Sequence, residues 1–328
     1  MRGILFLLAG ILCAMGGPAS AFDARTVAIK VGYGAGGSYD GAARLVSRHI
    51  GRFLPGNPEI IVQNIPGGGS MKLMQLLLGA EPTDGSVIGA VGASIAYVPT
   101  LDPATASFDP LELGWIGSLG QGENMCVVNR AANLGTAAAF TGEDFLIGAS
   151  GKSSLTYVLA ALARNALGAK FRIVTGFDGV ADIDLAMQRG EIAGHCVASS
   201  GDLRTTDLGE RVDVLLRFGS ATIAGYEDVP RLRDLIGDAA LRNAAGVVEA
   251  SAEYDFPYVL PAGTPEETVE VFRRAFDAMV ASPEFIADAA RISDIVLRPT
   301  SGDELEAIIE KNTGMDAGVL ETARTLVR

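Results

Sequence analysis

Histidine and cysteine are scarce in this chain of 328 residues, which holds two of the first, three of the second and a single tryptophan. The scarcity narrows the chemistry. His49 sits in a run with Arg44, Arg48 and Arg52 that reads as a solvated helix face. His195 adjoins Cys196 in a strand-like segment, where neighbouring side chains point to opposite faces, so the two make no nucleophile and base pair and share no metal. Too few His and Cys ligands remain for a zinc centre. Runs of Lys and Arg interleaved with aromatics are missing and the net charge is −13, which together argue against a nucleic-acid partner. Carboxylates are plentiful, but none pair at a spacing that marks an acid and a base. Beyond the first residues, no stretch approaches the roughly 20 apolar residues of a membrane span.

The start of the chain is different. Arg2, an apolar run from Ile4 to Met15, Gly16-Gly17-Pro18 and the small triplet Ala19-Ser20-Ala21 read as a secretory signal cleaved after Ala21, so the product is expected in the periplasm. Removing residues 1–21 takes away one cation, Arg2, and no acid, and moves the net charge from −13 to −14. Cys13 leaves with the signal, and Cys126 and Cys196 alone define no disulfide scaffold. About 300 remaining residues exceed what one compact core usually holds, so two lobes are expected.

Strand-like and helix-like segments alternate, which predicts an α/β fold with parallel strands and crossover helices. Glycine-rich loops fall between them: Gly34-Ala35-Gly36-Gly37-Ser38-Tyr39-Asp40, Asn64-Ile65-Pro66-Gly67-Gly68-Gly69-Ser70, Gly148 to Ser154, and Gly176-Phe177-Asp178-Gly179. A strand, a glycine loop and a helix build an anion site, because glycine permits close backbone approach and the helix's first N–H groups point outward. Gly32 to Gly37 matches G-x-G-x-x-G, yet Gln63-Asn64 stands where a dinucleotide fold needs an acid for the ribose. Gly151-Lys152-Ser153 ends like a P-loop, but Leu146 occupies its first glycine position. Further on, Thr264 is placed to cap a helix running to Val280, Ser282 starts the next, Ile295 to Leu297 reads as a short strand, and Ser301 starts a last long helix.

These loops carry a resemblance. The chain resembles the periplasmic solute-binding receptors of tripartite tricarboxylate transporters, the Bug family, over nearly its whole length. Tyr33 to Asp40 followed by Ala43-Arg44-Leu45 looks like the family's first loop, and Asn64 to Gly69 like its second. Pro82-Thr83-Asp84-Gly85 is similar to its Pro-Asp-Gly turn with one residue inserted, and Pro261 to Pro265 matches Pro-Ala-Gly-Thr-Pro unchanged. Three places depart from it: Ser150 to Ser154 carries no histidine, Thr175 to Gly179 loses a lysine, and Phe256-Pro257-Tyr258 replaces a tryptophan.

The resemblance implies a two-lobed type II periplasmic binding protein fold, each lobe a mostly parallel sheet flanked by helices. It implies lobes from residues 22–120 plus 254–328 and from 121–253, closing by a hinge. It further implies a non-enzymatic monomer without a cofactor that captures a small organic carboxylate and passes it to membrane transporter subunits. The ligand-binding set so implied is Tyr33, Gly36, Gly37, Ser38, Asp40, Asn64, Gly67, Gly68, Ser94, Ser150, Ser153, Ser154, Phe177, Asp178 and Ser199. Asp40 would orient the loop or a ligand amine, since like charges repel. Family topology sets the strands of Cys126 and Cys196 side by side, which makes them a candidate disulfide. A secreted α/β enzyme, a nucleotide-binding protein and a receptor for a sensor kinase stay open as alternatives.

Overall fold

A computed structural model of the chain describes residues 24–134, 142, 144–219, 222–250, 253–291 and 297–328; the expected signal at 1–21 lies outside the described residues. One sheet holds β1 (Thr26–Val31), β2 (Glu59–Asn64), β3 (Val87–Ala90), β4 (Gly114–Gly120), β10 (Asp255–Leu260) and β11 (Leu297–Ser301), in the order 11-4-10-3-1-2. The other holds β5 (Met125–Asn129), β6 (Leu146–Ala149), β7 (Arg172–Thr175), β8 (Gly194–Ala198) and β9 (Val212–Arg217), in the order 7-6-8-5-9. β1 pairs in parallel with β2 and β3, and β6 with β7 and β8, as alternating strands and helices dictate. Both sheets become mixed where the chain crosses between them. β10 and β11 run antiparallel to β4, and β5 antiparallel to β8 and β9.

The period of each element decides what it buries. In α1 (Ser38–His49), Ala42, Leu45, Val46 and His49 fall on one face and are buried. That corrects the expectation for His49: its place one turn beyond Leu45 and Val46 turns it inward. Its Nε2 lies 2.9 Å from Asp288 Oδ2 and its ring stands edge-on to Phe285 at 5.4 Å. Along β5 the two-residue alternation sends Met125 and Val127 into one apolar cluster and Cys126 and Val128 into another.

That second cluster is continuous between the sheets. It takes in Leu73 and Trp115 beside the first, Ile147 and Leu159 beside the second, and Val248 and Leu326. Leu73 belongs to α2 (Met71–Leu77), Leu159 to α3 (Leu155–Leu167). Beyond α4 (Val180–Gln188) come α5 (Ala239–Ala250), α6 (Glu266–Val280), α7 (Gly302–Thr313) and α8 (Ala317–Leu326). The C-terminal α8 packs against α5 and α3, so the end of the chain ties the two sheets together. Cys126 and Cys196, on the adjacent strands β5 and β8, are joined by a disulfide spanning 70 residues. In the chain-entropy account a bridge of that span contributes about 4 kcal/mol.

Of the three caps expected at Thr264, Ser282 and Ser301, two form. Ser282 accepts from the Phe285 N–H, and Ser301 forms a capping box with Glu304 at the start of α7. Thr264 does not cap α6; its hydroxyl donates to the Pro261 carbonyl at 2.7 Å, and Pro265 immediately precedes the helix. Of the strand expected at 295–297, residues 295 and 296 lie outside the described residues, and β11 runs from Leu297.

Candidate functional site

β1 runs out at Val31, and its glycine loop turns the chain directly into α1. Asp40 in the first turn braces that loop: its Oδ2 accepts from the Gly36 N–H and from Arg44 Nε, both at 2.9 Å. Asn64, at the end of β2, donates through Nδ2 to Asp40 Oδ1 and to the Tyr33 carbonyl, each at 3.0 Å. Burial pushes the Asp40 carboxyl up, but these donors outweigh it and hold it below the usual carboxylate range.

Loops from the two sheets meet through backbone groups and one serine hydroxyl. The Gly34 N–H donates to the Asp178 carbonyl at 2.9 Å, and the buried Ser94 hydroxyl donates to the Ser153 carbonyl at 2.7 Å. Glycine is required at two of these meetings. Gly69 has φ +67°, and a Cβ there would stand 2.5 Å from the Ser154 nitrogen; a Cβ on Gly151 would stand 2.6 Å from the carbonyl carbon of Gly68.

Enclosed by these loops is a cavity of about 50 Å³. Three helices begin at it: α1 through Gly37 and Ser38, α3 through Leu155 and Thr156, and α4 through Gly179 and Val180. Each brings first-turn N–H groups without intrahelical partners and the positive end of its dipole. Among the described residues, no Lys, Arg or His lines the cavity. Two buried side chains on its wall have a polar atom without a hydrogen-bond partner, Asn124 Nδ2 and Ser150 Oγ. Burying such atoms unpaired costs about 1–3 kcal/mol each, which marks them as places for a ligand.

The rest of the lining includes an acidic and aromatic group. Asp255, half-buried, accepts at Oδ1 from the Tyr39 hydroxyl at 2.8 Å and from the Phe256 N–H at 2.9 Å. Its surroundings withhold water and push its pKa up to about 6, with the two hydrogen bonds pulling against that and the charge of Asp202 adding to it. Tyr39 also accepts from the Ala93 N–H at 3.0 Å, and its ring packs on Tyr33 at 4.6 Å. Phe256 holds φ +54°, a left-handed conformation that costs a bulky residue on the order of 1–3 kcal/mol.

Of the residues singled out in the sequence, Tyr33, Gly37, Ser38 and Ser150 line this cavity. Asp40 and Asn64 stand behind it as braces, with Gly36 bonded to Asp40. Gly67 and Gly68 belong to the second loop, whose Gly68 and Gly69 touch Gly151 and Ser154. Ser154 caps α3. Ser94 and Ser153 border a separate cavity of about 340 Å³ that also takes in Lys152 and Arg328. That cavity is larger, but its Ser94 hydroxyl and Ser153 carbonyl already satisfy each other. Phe177 packs into the apolar cluster under α4, Asp178 gives its carbonyl to Gly34, and Ser199 caps the helix Ser200–Thr205 through a capping box with Asp202. His195 is buried with Nε2 3.1 Å from Asp184, away from the cavity.

Sequence reading missed Tyr39, Asn124 and Asp255. Tyr39 lies within the first loop and was within reach. Asn124 and Asp255 sit where the chain passes between the sheets, just before β5 and at the start of β10, and only that topology singles them out.

No protein-family model and no curated protein matches the chain. Solved structures do match it. A TctC solute binding protein from Polaromonas, without ligand, is 21% identical over 91% of this chain and 97% of its own, with a TM-score of 0.58. MatC from Rhodopseudomonas palustris with bound malate is 18% identical over 93% and 100%, with a TM-score of 0.68. An R. palustris protein with adipate is 16% identical over 91% and 97%, with a TM-score of 0.70. At such identities the likeness establishes the fold: this chain folds as these periplasmic-type binding proteins do.

Proposed function

We propose that the chain is an extracytoplasmic solute-binding receptor of the Bug family, which captures a small organic carboxylate between two lobes and delivers it to a tripartite tricarboxylate-type membrane transporter. The lobes are residues 22–120 with 254–328 and residues 121–253, joined by a hinge, and the receptor acts as a monomer and not as an enzyme. One observation supports this above the others: among the described residues, three helix N-termini and two unpartnered polar side chains converge on a cavity without a basic side chain. A carboxylate is the anion such a site suits, because N–H and hydroxyl donors to a charged group contribute roughly 1.5–3 kcal/mol each. The fold adds support, since malate and adipate accompany two of the similar structures. Among the described residues no helix is long and apolar enough to cross a membrane.

The test is a thermal-shift screen of purified protein against mono- and dicarboxylates, amino acids, aromatic acids and nucleotides. At a hundredfold excess over its Kd, a ligand of the folded form adds about 2.7 kcal/mol, or roughly 4–5 °C for a chain of this size. A shift with a carboxylate is expected. A shift with nucleotides alone would overturn the reading.

A further inference from the structure

Two kinds of group line the cavity, and only one suits an anion. Helix N-termini with Asn124 Nδ2 and Ser150 Oγ form the first, while Asp255, Tyr39 and Tyr33 form the second. Both hydrogen bonds that Asp255 makes among the described residues fall on Oδ1, which leaves Oδ2 for a ligand. We infer that Asp255 Oδ2, beside the rings of Tyr33 and Tyr39, is the subsite for a ligand ammonium group, so that the receptor's solute is an amino carboxylate and not a plain dicarboxylate.

Charge and geometry carry the inference. A dicarboxylate would set its second negative charge against Asp255 in a cavity where, among the described residues, no cation stands to offset it. An ammonium reverses the sign of that contact, and tyrosine rings attract cations where they repel anions. The inference rests on the carboxylate-receptor reading, since it assigns the ligand's other end to the helix termini.

Titration supplies a second handle. Facing Asp255 are Tyr39, Tyr33 and Tyr258, whose hydroxyls its charge pushes further up, and Asp202, a like charge. The pair Glu123 and Arg298, 3.8 Å apart, lies on segments beside Gly120, the residue opposite Asp255 on β4. With the free carboxyl near 6, an ammonium ligand needs it ionised, so affinity for the ligand should rise with pH through about 6 and level off above. If a protonated Asp255 instead donates to a second ligand carboxylate, affinity falls over the same range.

Calorimetric titration of the full mature chain with matched sets decides it: alanine, β-alanine and 4-aminobutanoate against propanoate, butanoate, succinate and glutarate, at pH 5.0 and 7.5. At least one amino acid should bind tenfold or more tightly than its amine-free partner and than the dicarboxylates, with the preference larger at pH 7.5. Asp255→Asn, checked for native circular dichroism, should weaken the amino acid at least tenfold more than it weakens the plain acid. Equal binding of amine-bearing and amine-free acids, or tighter dicarboxylate binding at pH 5.0, would overturn the ammonium subsite and leave the carboxylate receptor standing. Binding by none of these acids or by any other carboxylate would remove both.

Discussion

The two walls of the cavity acquire their polarity by different means. On the side of α1, α3 and α4, helix ends and glycine loops present backbone N–H groups, and the acid in the first turn of α1, Asp40, is taken up as a brace. On the wall of β10, one side chain, Asp255, does the work, held by a tyrosine 216 residues distant in sequence. A backbone pole is stiff and carries no proton that titrates near neutrality, whereas a side-chain pole responds to pH and to single substitutions. The first suits a function common to many ligands, and the second suits discrimination among them.

Substitutions can test this division. Gly151→Val should have the largest effect: its Cβ collides with the Gly68 backbone, so the two loops cannot meet. Affinity for any carboxylate should fall a hundredfold or more by calorimetry, while circular dichroism stays native. An unchanged affinity would show that the loop meeting does not shape the site. Next is Asp40→Ala, which strands one of the two Nδ2 hydrogens of Asn64 and the Gly36 N–H and should lower stability by about 2 kcal/mol in urea unfolding at pH 7. The Asp40 carboxyl titrates lower when folded than unfolded, so its contribution is present above the unfolded value and disappears as pH falls through the folded one. The gap between wild type and variant should therefore close below about pH 4.

Ser150→Ala should separate binding from stability. Its hydroxyl has no partner among the described residues, so melting should change by less than about 2 °C while carboxylate affinity drops roughly tenfold. A loss of stability without a loss of affinity would make Ser150 a packing residue. The last effect is read in stability, in one pH range, and belongs to Asp255. Asp255 titrates at about 6 when folded, above its ordinary 3.8, so the stability it lends is full below the unfolded value and is lost as pH rises through 6. Asp255→Asn, which keeps an oxygen for Tyr39 and Phe256, should then raise the melting temperature by roughly 2–6 °C at pH 7.5 and hardly at all at pH 4. A uniform shift at both would mean that Asp255 is not held against its charge.

The same division explains what could be read from the chain. The backbone wall is written locally: a strand, a glycine loop and a helix start lie within a dozen residues, so Gly37, Ser38 and Ser150 are found from sequence. Roles within a loop are harder, because Asp40 and Asn64 are braces only once β1 and β2 are paired. Asp255 and Asn124 carry no local signature at all, and their place follows from which strands the chain visits on crossing between sheets. Phe256-Pro257-Tyr258 stands out as a departure from the family pattern, one residue away from the acid that lines the cavity. His49 shows the same limit on a smaller scale: among three arginines it reads as solvated, and only its phase with Ala42, Leu45 and Val46 turns it inward.

Where the carboxylate sits is the most direct question, and a crystal structure of the chain with a bound carboxylate ligand answers it. The oxygens should lie about 2.7–3.2 Å from first-turn N–H groups at Gly37 or Ser38 and from Ser150 Oγ or Asn124 Nδ2. A carboxylate found instead against Lys152 and Arg328 in the larger cavity would contradict the account.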